Sequence, residues 1–275
     1  MTAIDMMMNE LVLWNVEAVG LCSDRESDFR LEEVISKIIK WMEQGKTACL
    51  VEWNLPMDAI REKAREVGYE IYFASKEAYA PPPTRKNPDG VLLLVPHDKI
   101  TDDLKIEVMP HSVVGKAGAP WIRATDTSTG QFVVFTHLKS KTDQSHVRFQ
   151  QLDQMSAFGD HCIGVVGDLN ESHVCKDPTL VIDKMKDLGF FYDSPITNMK
   201  EEKKIKTDER YKRDSRTAGE NGMAMSTTDW IFYRTKKTKF YSLVGVIPEG
   251  DIYESADQWY FLHNSDHRPI EMILS

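Results

Sequence analysis

Cys162-Ile163-Gly164-Val165-Val166-Gly167-Asp168-Leu169-Asn170 is the stretch on which the reading of this chain turns. From Cys162 to Val166 it is apolar, rich in β-branched residues and bounded by glycine, the pattern of a strand buried on both faces. It stops abruptly on an acid and an amide. Glycine, Asp and Asn also make an ordinary turn, because they tolerate left-handed backbone and bond to their own main chain. Repetition separates the two readings.

Leu11 to Trp14 runs into Asn15, Thr47 to Val51 into Glu52, and Phe132 to Thr136 into His137. Two later strands carry their polar groups in front: Asp229 precedes Trp230 to Tyr233, and Asp266-His267 precede Pro269 to Leu274. If those two run antiparallel to the others, strand starts and strand ends share one rim and the polar groups converge there. The expectation is a site on a sheet edge, spread along the chain from Asn15 to His267. A single domain covering residues 1–275 is expected to gather it.

The elements between these tips set the fold class. Leu31, Val34, Ile35, Ile38, Ile39 and Met42 fall at helical spacing within Asp28 to Gln44, and Gly45 follows where a C-terminal cap belongs. A helix is expected over Pro56 to Val67, then strands at Ile71 to Ala74, Val91 to Val95, Lys105 to Met109, Trp121 to Thr125 and Gln131 to Thr136. No helix separates the strands between Val91 and Thr136, which argues against a parallel doubly wound sheet. Helices follow over Arg148 to Phe158, with Phe149, Leu152 and Met155 on one face, and over Leu180 to Leu188. Many strands and few helices point to two packed sheets with helices outside. The proline-rich stretch Tyr79 to Pro88 cannot continue a ladder and reads as an exposed loop. Lys200 to Arg216, charged and aperiodic, reads as a mobile surface loop near the rim.

Composition narrows the function. The chain has 275 residues, 41% of them apolar and 28% charged, enough for a sizeable core. No stretch has the apolar length of a membrane span, and Met1 to Asn9 lacks a signal peptide's basic start and apolar core, so an intracellular protein without a membrane partner is expected. Cys22, Cys49, Cys162 and Cys175 form no Cys-x-x-Cys pair and are expected as free thiols. A net charge of −9 disfavours broad adhesion to duplex nucleic acid. It is compatible with an enzyme that meets phosphates through a bound cation, since such a site needs clustered acids.

Taken in order, Trp14-Asn15-Val16-Glu17, Val51-Glu52, Thr136-His137-Leu138, Gly167-Asp168-Leu169-Asn170, Thr228-Asp229-Trp230-Ile231-Phe232 and Ser265-Asp266-His267-Arg268-Pro269 resemble the endonuclease/exonuclease/phosphatase superfamily. The resemblance runs from the first strand to the last. It implies an α+β, deoxyribonuclease I-like fold: a four-layer sandwich of two packed mixed β-sheets flanked by helices. It also implies a Mg²⁺- or Mn²⁺-dependent phosphoric ester hydrolase. On that pattern Glu52 is a metal ligand, completed by Asp266 and Glu17. Asp168 orients or deprotonates the attacking water, and Asn170 holds it and the phosphate. His267 contacts the phosphate while Asp229 fixes its tautomer, and His137 and Asn15 donate to phosphate oxygens.

Two departures stand out. Val51 occupies a place where many relatives have Gln, and Glu17-Ala18 replaces the usual Asp-Gly. Thr228 to Tyr233 and Thr136 to Lys139 are similar to poly(A)-removing deadenylases, which implies a nucleic-acid substrate, single-stranded or at strand ends. Lys139, Lys141 and the Lys200 to Arg216 run would supply cations, and Tyr79, Trp53 or Trp259 a stacking face. The alternatives are a phosphomonoesterase or sphingomyelinase-type phosphodiesterase of the same fold, and a binding module that has lost catalysis.

Overall fold

The structure is a computed structural model that describes residues 2–16, 27–53, 55, 57–76, 90–139, 144–171, 180–191, 198–201, 223–226, 228–234, 241–245 and 269–274. Its elements in order are α1 (Ala3–Met8), β1 (Leu11–Asn15), α2 (Ser27–Glu43), β2 (Thr47–Val51), α3 (Asp58–Glu66), β3 (Tyr69–Ser75), β4 (Gly90–Pro96), β5 (Leu104–Val114), β6 (Ala117–Asp126) and β7 (Phe132–His137). They continue with α4 (Ser145–Gln154), β8 (Cys162–Asp168), α5 (Leu180–Asp187), β9 (Asn198–Glu201), β10 (Met223–Ser226), β11 (Asp229–Tyr233), β12 (Tyr241–Gly245) and β13 (Ile270–Leu274).

The strands form a six-stranded sheet, β12-β13-β1-β2-β4-β3, and a five-stranded sheet, β11-β8-β7-β6-β5, with β9 and β10 as a separate pair. Both large sheets are mixed. β1 and β2 are parallel, as are β7 and β8, while β13 runs antiparallel to β1 and β11 antiparallel to β8. The orientation required to bring strand starts and strand ends onto one rim is therefore present.

Side-chain alternation explains the layering. In β1, Leu11 and Leu13 join the core between the sheets, whereas Val12 and Trp14 pack with Val34 and Ile38 of α2 and Ile60 and Ala64 of α3. In β8, Val166 enters the inter-sheet core and Ile163 joins it through the register shift opposite Phe132 and Val133, while Val165 packs with Leu152 of α4 and Val181, Ile182 and Met185 of α5. Each central strand is covered on both faces, which is why these stretches read as nearly continuous apolar runs. The result is helix, sheet, sheet, helix: two packed mixed sheets with helices outside, as expected.

Three features depart from the sequence reading. The charged run beginning at Lys200 starts inside a strand: β9 pairs antiparallel with β10, Lys200 opposite Ala224. The remainder of that run and the Tyr79 to Pro88 stretch lie outside the described residues. β12, paired with β13, had no clear signature. The third is α1, whose Ala3, Ile4, Met7 and Met8 are buried in the inter-sheet core. Thr2 and Asp5 close a capping box: Asp5 N donates to Thr2 Oγ1 at 3.0 Å and Thr2 N to Asp5 Oδ2 at 3.0 Å.

Asp5 also accepts from the Tyr233 hydroxyl at 2.9 Å, tying α1 to β11 across 228 positions of sequence. Asp5→Ala removes the reciprocal half of the box, the acceptor for Thr2 N, together with that buried acceptor, while the main-chain bond from residue 5 to Thr2 Oγ1 survives. It is expected to cost about 1–3 kcal/mol, chiefly for a buried hydroxyl stripped of this partner. The check is a urea unfolding curve. An unchanged midpoint would mean that the helix is only laid against the sandwich.

Candidate active site

The rim is built by the same alternation. β1 places Leu13 inward and so Asn15; β7 places Phe135 inward and so His137; β8 places Val166 inward and so Asp168; β11 places Ile231 inward and so Asp229. All four residues are buried, none more than 2% exposed. Register brings them together. His137 pairs with Asp168 across the parallel β7–β8 ladder, and Asp229 pairs with Asp168 across the antiparallel β8–β11 ladder.

Glu52 needs a further device, because Val51 already points into the inter-sheet core and the next side chain would point away. Its backbone is left-handed, with φ of 56°, and this bend re-aims the carboxylate. Asn15 Nδ2 donates to Asp168 Oδ2 at 2.9 Å and lies 3.3 Å from Glu52 Oε1, so one amide spans the tips of both sheets. Glu52 Oε1 stands 3.7 Å from His137 Nε2, and the Glu52 side chain is the more open of the two, at 24% against 2% exposed. Ligand atoms of Glu52, His137 and Asp168 all lie within 4.8 Å of one another.

The turn after β8 is locked. Asn170 is left-handed, with φ of 50°. Its main-chain N–H donates to Asp168 Oδ1 at 2.8 Å, and its Nδ2 donates to the Leu138 carbonyl at 3.1 Å. This orients Asp168 from one side while Asn15 orients it from the other. The charge of the cluster reaches the core. The Cys49 thiol, fully buried in β2, has its pKa raised by burial and further by the Asp229 carboxylate. The Cys162 thiol is pushed up to about 12, chiefly by burial, against smaller lowering effects of Gly164 and Arg234. Both cysteines are free thiols.

Asn15, Glu52, His137, Asp168, Asn170 and Asp229 are thus gathered on one rim. Glu17, Asp266 and His267 lie outside the described residues, as do Cys22, Tyr79, Lys141, Cys175 and Trp259. Trp53 is a correction: its side chain is fully buried among Trp14, Leu50 and Ile60 and offers no face to a ligand. Sequence reasoning also missed the polar support behind the rim, where Arg148 and Glu171 are both wholly buried. A charged residue on an otherwise amphipathic helix carries no signal that separates it from a solvated one.

No family model matches the chain, and no curated protein matches it by sequence. Solved structures do. The human Nocturnin catalytic domain with bound sulfate aligns with a TM-score of 0.58 at 16% identity, over 97% of this chain and 93% of that one. An endonuclease/exonuclease/phosphatase family protein from Leptotrichia buccalis aligns with a TM-score of 0.57 at 12% identity, over 97% and 99%. TDP2 of D. rerio, complexed with a single-strand DNA product, aligns with a TM-score of 0.53 at 14% identity, over 97% and 98%. With TM-scores of 0.58 and 0.57 over nearly the whole of each chain, the two-sheet sandwich is that of these structures: the chain has the endonuclease/exonuclease/phosphatase, deoxyribonuclease I-like fold.

Proposed function

We propose that this chain is a divalent-metal-dependent phosphodiesterase of the endonuclease/exonuclease/phosphatase superfamily, one domain over residues 1–275, that hydrolyses nucleic-acid phosphodiester bonds in single strands or at strand ends. The observation that carries the reading is the convergence of Asn15, Glu52, His137 and Asp168 from four strand tips of two sheets onto one small rim. A fold alone does not name a reaction, but these groups match the needs of phosphoester hydrolysis.

The donor set fits a hard cation. Two carboxylates and an imidazole within 4.8 Å of one another, with no thiolate among them, suit Mg²⁺ or Mn²⁺. Glu52 would hold it, with Glu17 and Asp266 as the further acids and His137 or Asp168 able to take part. When bound, such an ion neutralises phosphate charge and stabilises the oxygens entering and leaving phosphorus.

The chain's own groups do the rest. Asp168, held by Asn15 and by the Asn170 N–H, keeps one orientation and accepts a proton from the attacking water. Asn170 positions that water and a phosphate oxygen. His137 and Asn15 present N–H groups to the non-bridging oxygens, where charge builds up. Asp229 fixes the tautomer of His267, which donates to the phosphate. The new P–O bond forms to the water oxygen, the ester P–O bond breaks, and the leaving oxygen takes a proton from solvent or imidazolium. An acidic chain can hold a polyanion this way because the cation, not the protein surface, meets the charge.

TDP2 bound to a single-strand DNA product supports the choice of single strands for this chain, alongside the likeness of Thr228 to Tyr233 to deadenylases. The test is a substrate panel with Mg²⁺, with Mn²⁺ and in excess chelator. It covers single-stranded RNA and DNA, duplex DNA, inositol phosphates and sphingomyelin. Chelator-sensitive cleavage of single strands is the expected result. Hydrolysis undiminished by chelator refutes the metal. Efficient turnover of inositol phosphate or sphingomyelin with no oligonucleotide cut moves the chain to the phosphatase or lipid branch. Binding that survives Glu52→Gln with no turnover anywhere makes it a binding module.

A further inference from the structure

Directly behind the rim, α4 carries a polar cluster that the chemistry above does not use. Arg148 and Glu171 are both fully buried, with Nη2 donating to Oε2 at 3.3 Å and Nε standing 3.3 Å from Oε1. Glu171 is the residue after Asn170. The same guanidinium donates through Nη1 to the carbonyl of Lys139 at 3.3 Å, two residues past His137. One planar group therefore spans the exits of β7 and β8, the two strands that deliver His137 and Asp168.

Further bonds frame the pair. Ser145 Oγ donates to Glu171 Oε1 at 2.5 Å and accepts from Leu180 N at 3.3 Å, and the Trp230 indole donates to the Glu171 carbonyl at 2.9 Å. Gln151, one turn after Arg148, accepts from Lys139 N at 3.3 Å and donates to the Ala117 carbonyl at 3.2 Å. Ser112 Oγ donates to the Gln151 carbonyl at 2.9 Å, anchoring α4 to β5. Stability alone is a poor reason for such a pair, because apolar replacements of similar volume leave buried ion pairs neutral or better. What apolar side chains cannot do is hold two strand exits at a fixed separation through directed bonds.

We propose that Arg148 and Glu171 are positioning residues for the catalytic rim, setting the spacing between His137 and the Asp168–Asn170 turn without touching substrate; the proposal rests on the hydrolase reading above. Arginine's flat fork, reaching a carbonyl on one side and a carboxylate on the other, is the feature a lysine cannot reproduce.

The experiment compares wild type, the double variant Arg148→Met/Glu171→Leu, Glu171→Gln and Arg148→Lys. It follows thermal unfolding, hydrolysis of the substrate found for the wild type, and ¹⁵N signals of the His137 ring and the Asn170 side-chain amide. The double variant is expected to melt at or above the wild-type temperature. Its kcat should fall about a hundredfold with KM little changed, the cost of a rim displaced by an ångström or less, and its His137 and Asn170 signals should shift. Arg148→Lys should keep the fold and not restore kcat. If the double variant does not fold, Glu171→Gln carries the test, since it keeps volume, the Trp230 bond and one acceptor while losing the charge. Folded variants with wild-type kcat and unmoved signals overturn the proposal. A wild type that hydrolyses nothing refutes the hydrolase reading instead, and the ¹⁵N signals still decide whether the pair positions these two side chains.

Discussion

Asp168→Asn is expected to reduce turnover by roughly 10²–10⁴-fold, the range for loss of a positioned proton acceptor. It changes no shape. The carboxylate accepts from Asn15 Nδ2 at 2.9 Å and from the Asn170 N–H at 2.8 Å. An amide in its place keeps one acceptor and turns an NH₂ toward another donor, so the water loses its base and Asn15 loses its anchor. Stability should stay within about 1 kcal/mol of wild type, because one poorer hydrogen bond is offset by removing one charge from a crowded set of acids. Kinetics and a denaturant curve on the same preparation settle it. A variant that unfolds outright would make Asp168 a structural residue, and one that retains activity would remove it from the mechanism.

The legibility of this rim in the sequence has a physical cause. A strand buried on both faces must be apolar along its length, so the residue where polarity returns marks the end of burial and stands out. Asn15, Glu52, His137 and Asp168 are all such residues, and the antiparallel sense of β11 and β13 brings a strand start to the same edge. Glu52 illustrates the limit. Its identity was readable, but its inward aim depends on a left-handed backbone that no alternation pattern contains.

What stayed hidden falls into two kinds. α1 has six residues, Ala3-Ile4-Asp5-Met6-Met7-Met8, too few to establish a helical period, although Thr2 and Asp5 hold the spacing of a capping box. Arg148 and Glu171 were hidden for the opposite reason. Their types predict exposure, and only the tertiary frame of Ser145, Gln151 and Trp230 makes their burial tolerable. Trp53 erred the same way in reverse: an aromatic next to a site acid reads as a stacking face, yet the chain spends it on the packing of β2 against α2 and α3.

Gly167→Ala should be the most damaging small substitution in the described chain. Gly167 sits between Thr136 of β7 and Trp230 of β11 within the five-stranded sheet, with φ of 150°, a conformation side chains rarely adopt. A Cβ there would lie 1.7 Å from the Thr136 carbonyl oxygen and 2.8 Å from its carbon. Those atoms are backbone, and Thr136 is itself held by its Oγ1 bond to the Pro120 carbonyl at 2.9 Å and by its pairing with Trp121. The strands must therefore part at the very place where His137 faces Asp168. The expected cost exceeds about 4 kcal/mol, the level reached only when a special backbone or a core network is broken. Gly164→Ala, three residues earlier on the same strand, supplies the contrast. Its Cβ would meet side-chain atoms of Val133 and Tyr233 at 3.0–3.1 Å, contacts that can give way. Overpacking of that kind costs about 1–3 kcal/mol. Paired urea melts of the two variants should rank Gly167→Ala far below Gly164→Ala, and whatever folded Gly167→Ala remains should be inactive. If instead the two variants unfold at the same urea concentration, the close approach of β8 to β7 is not what holds this rim together.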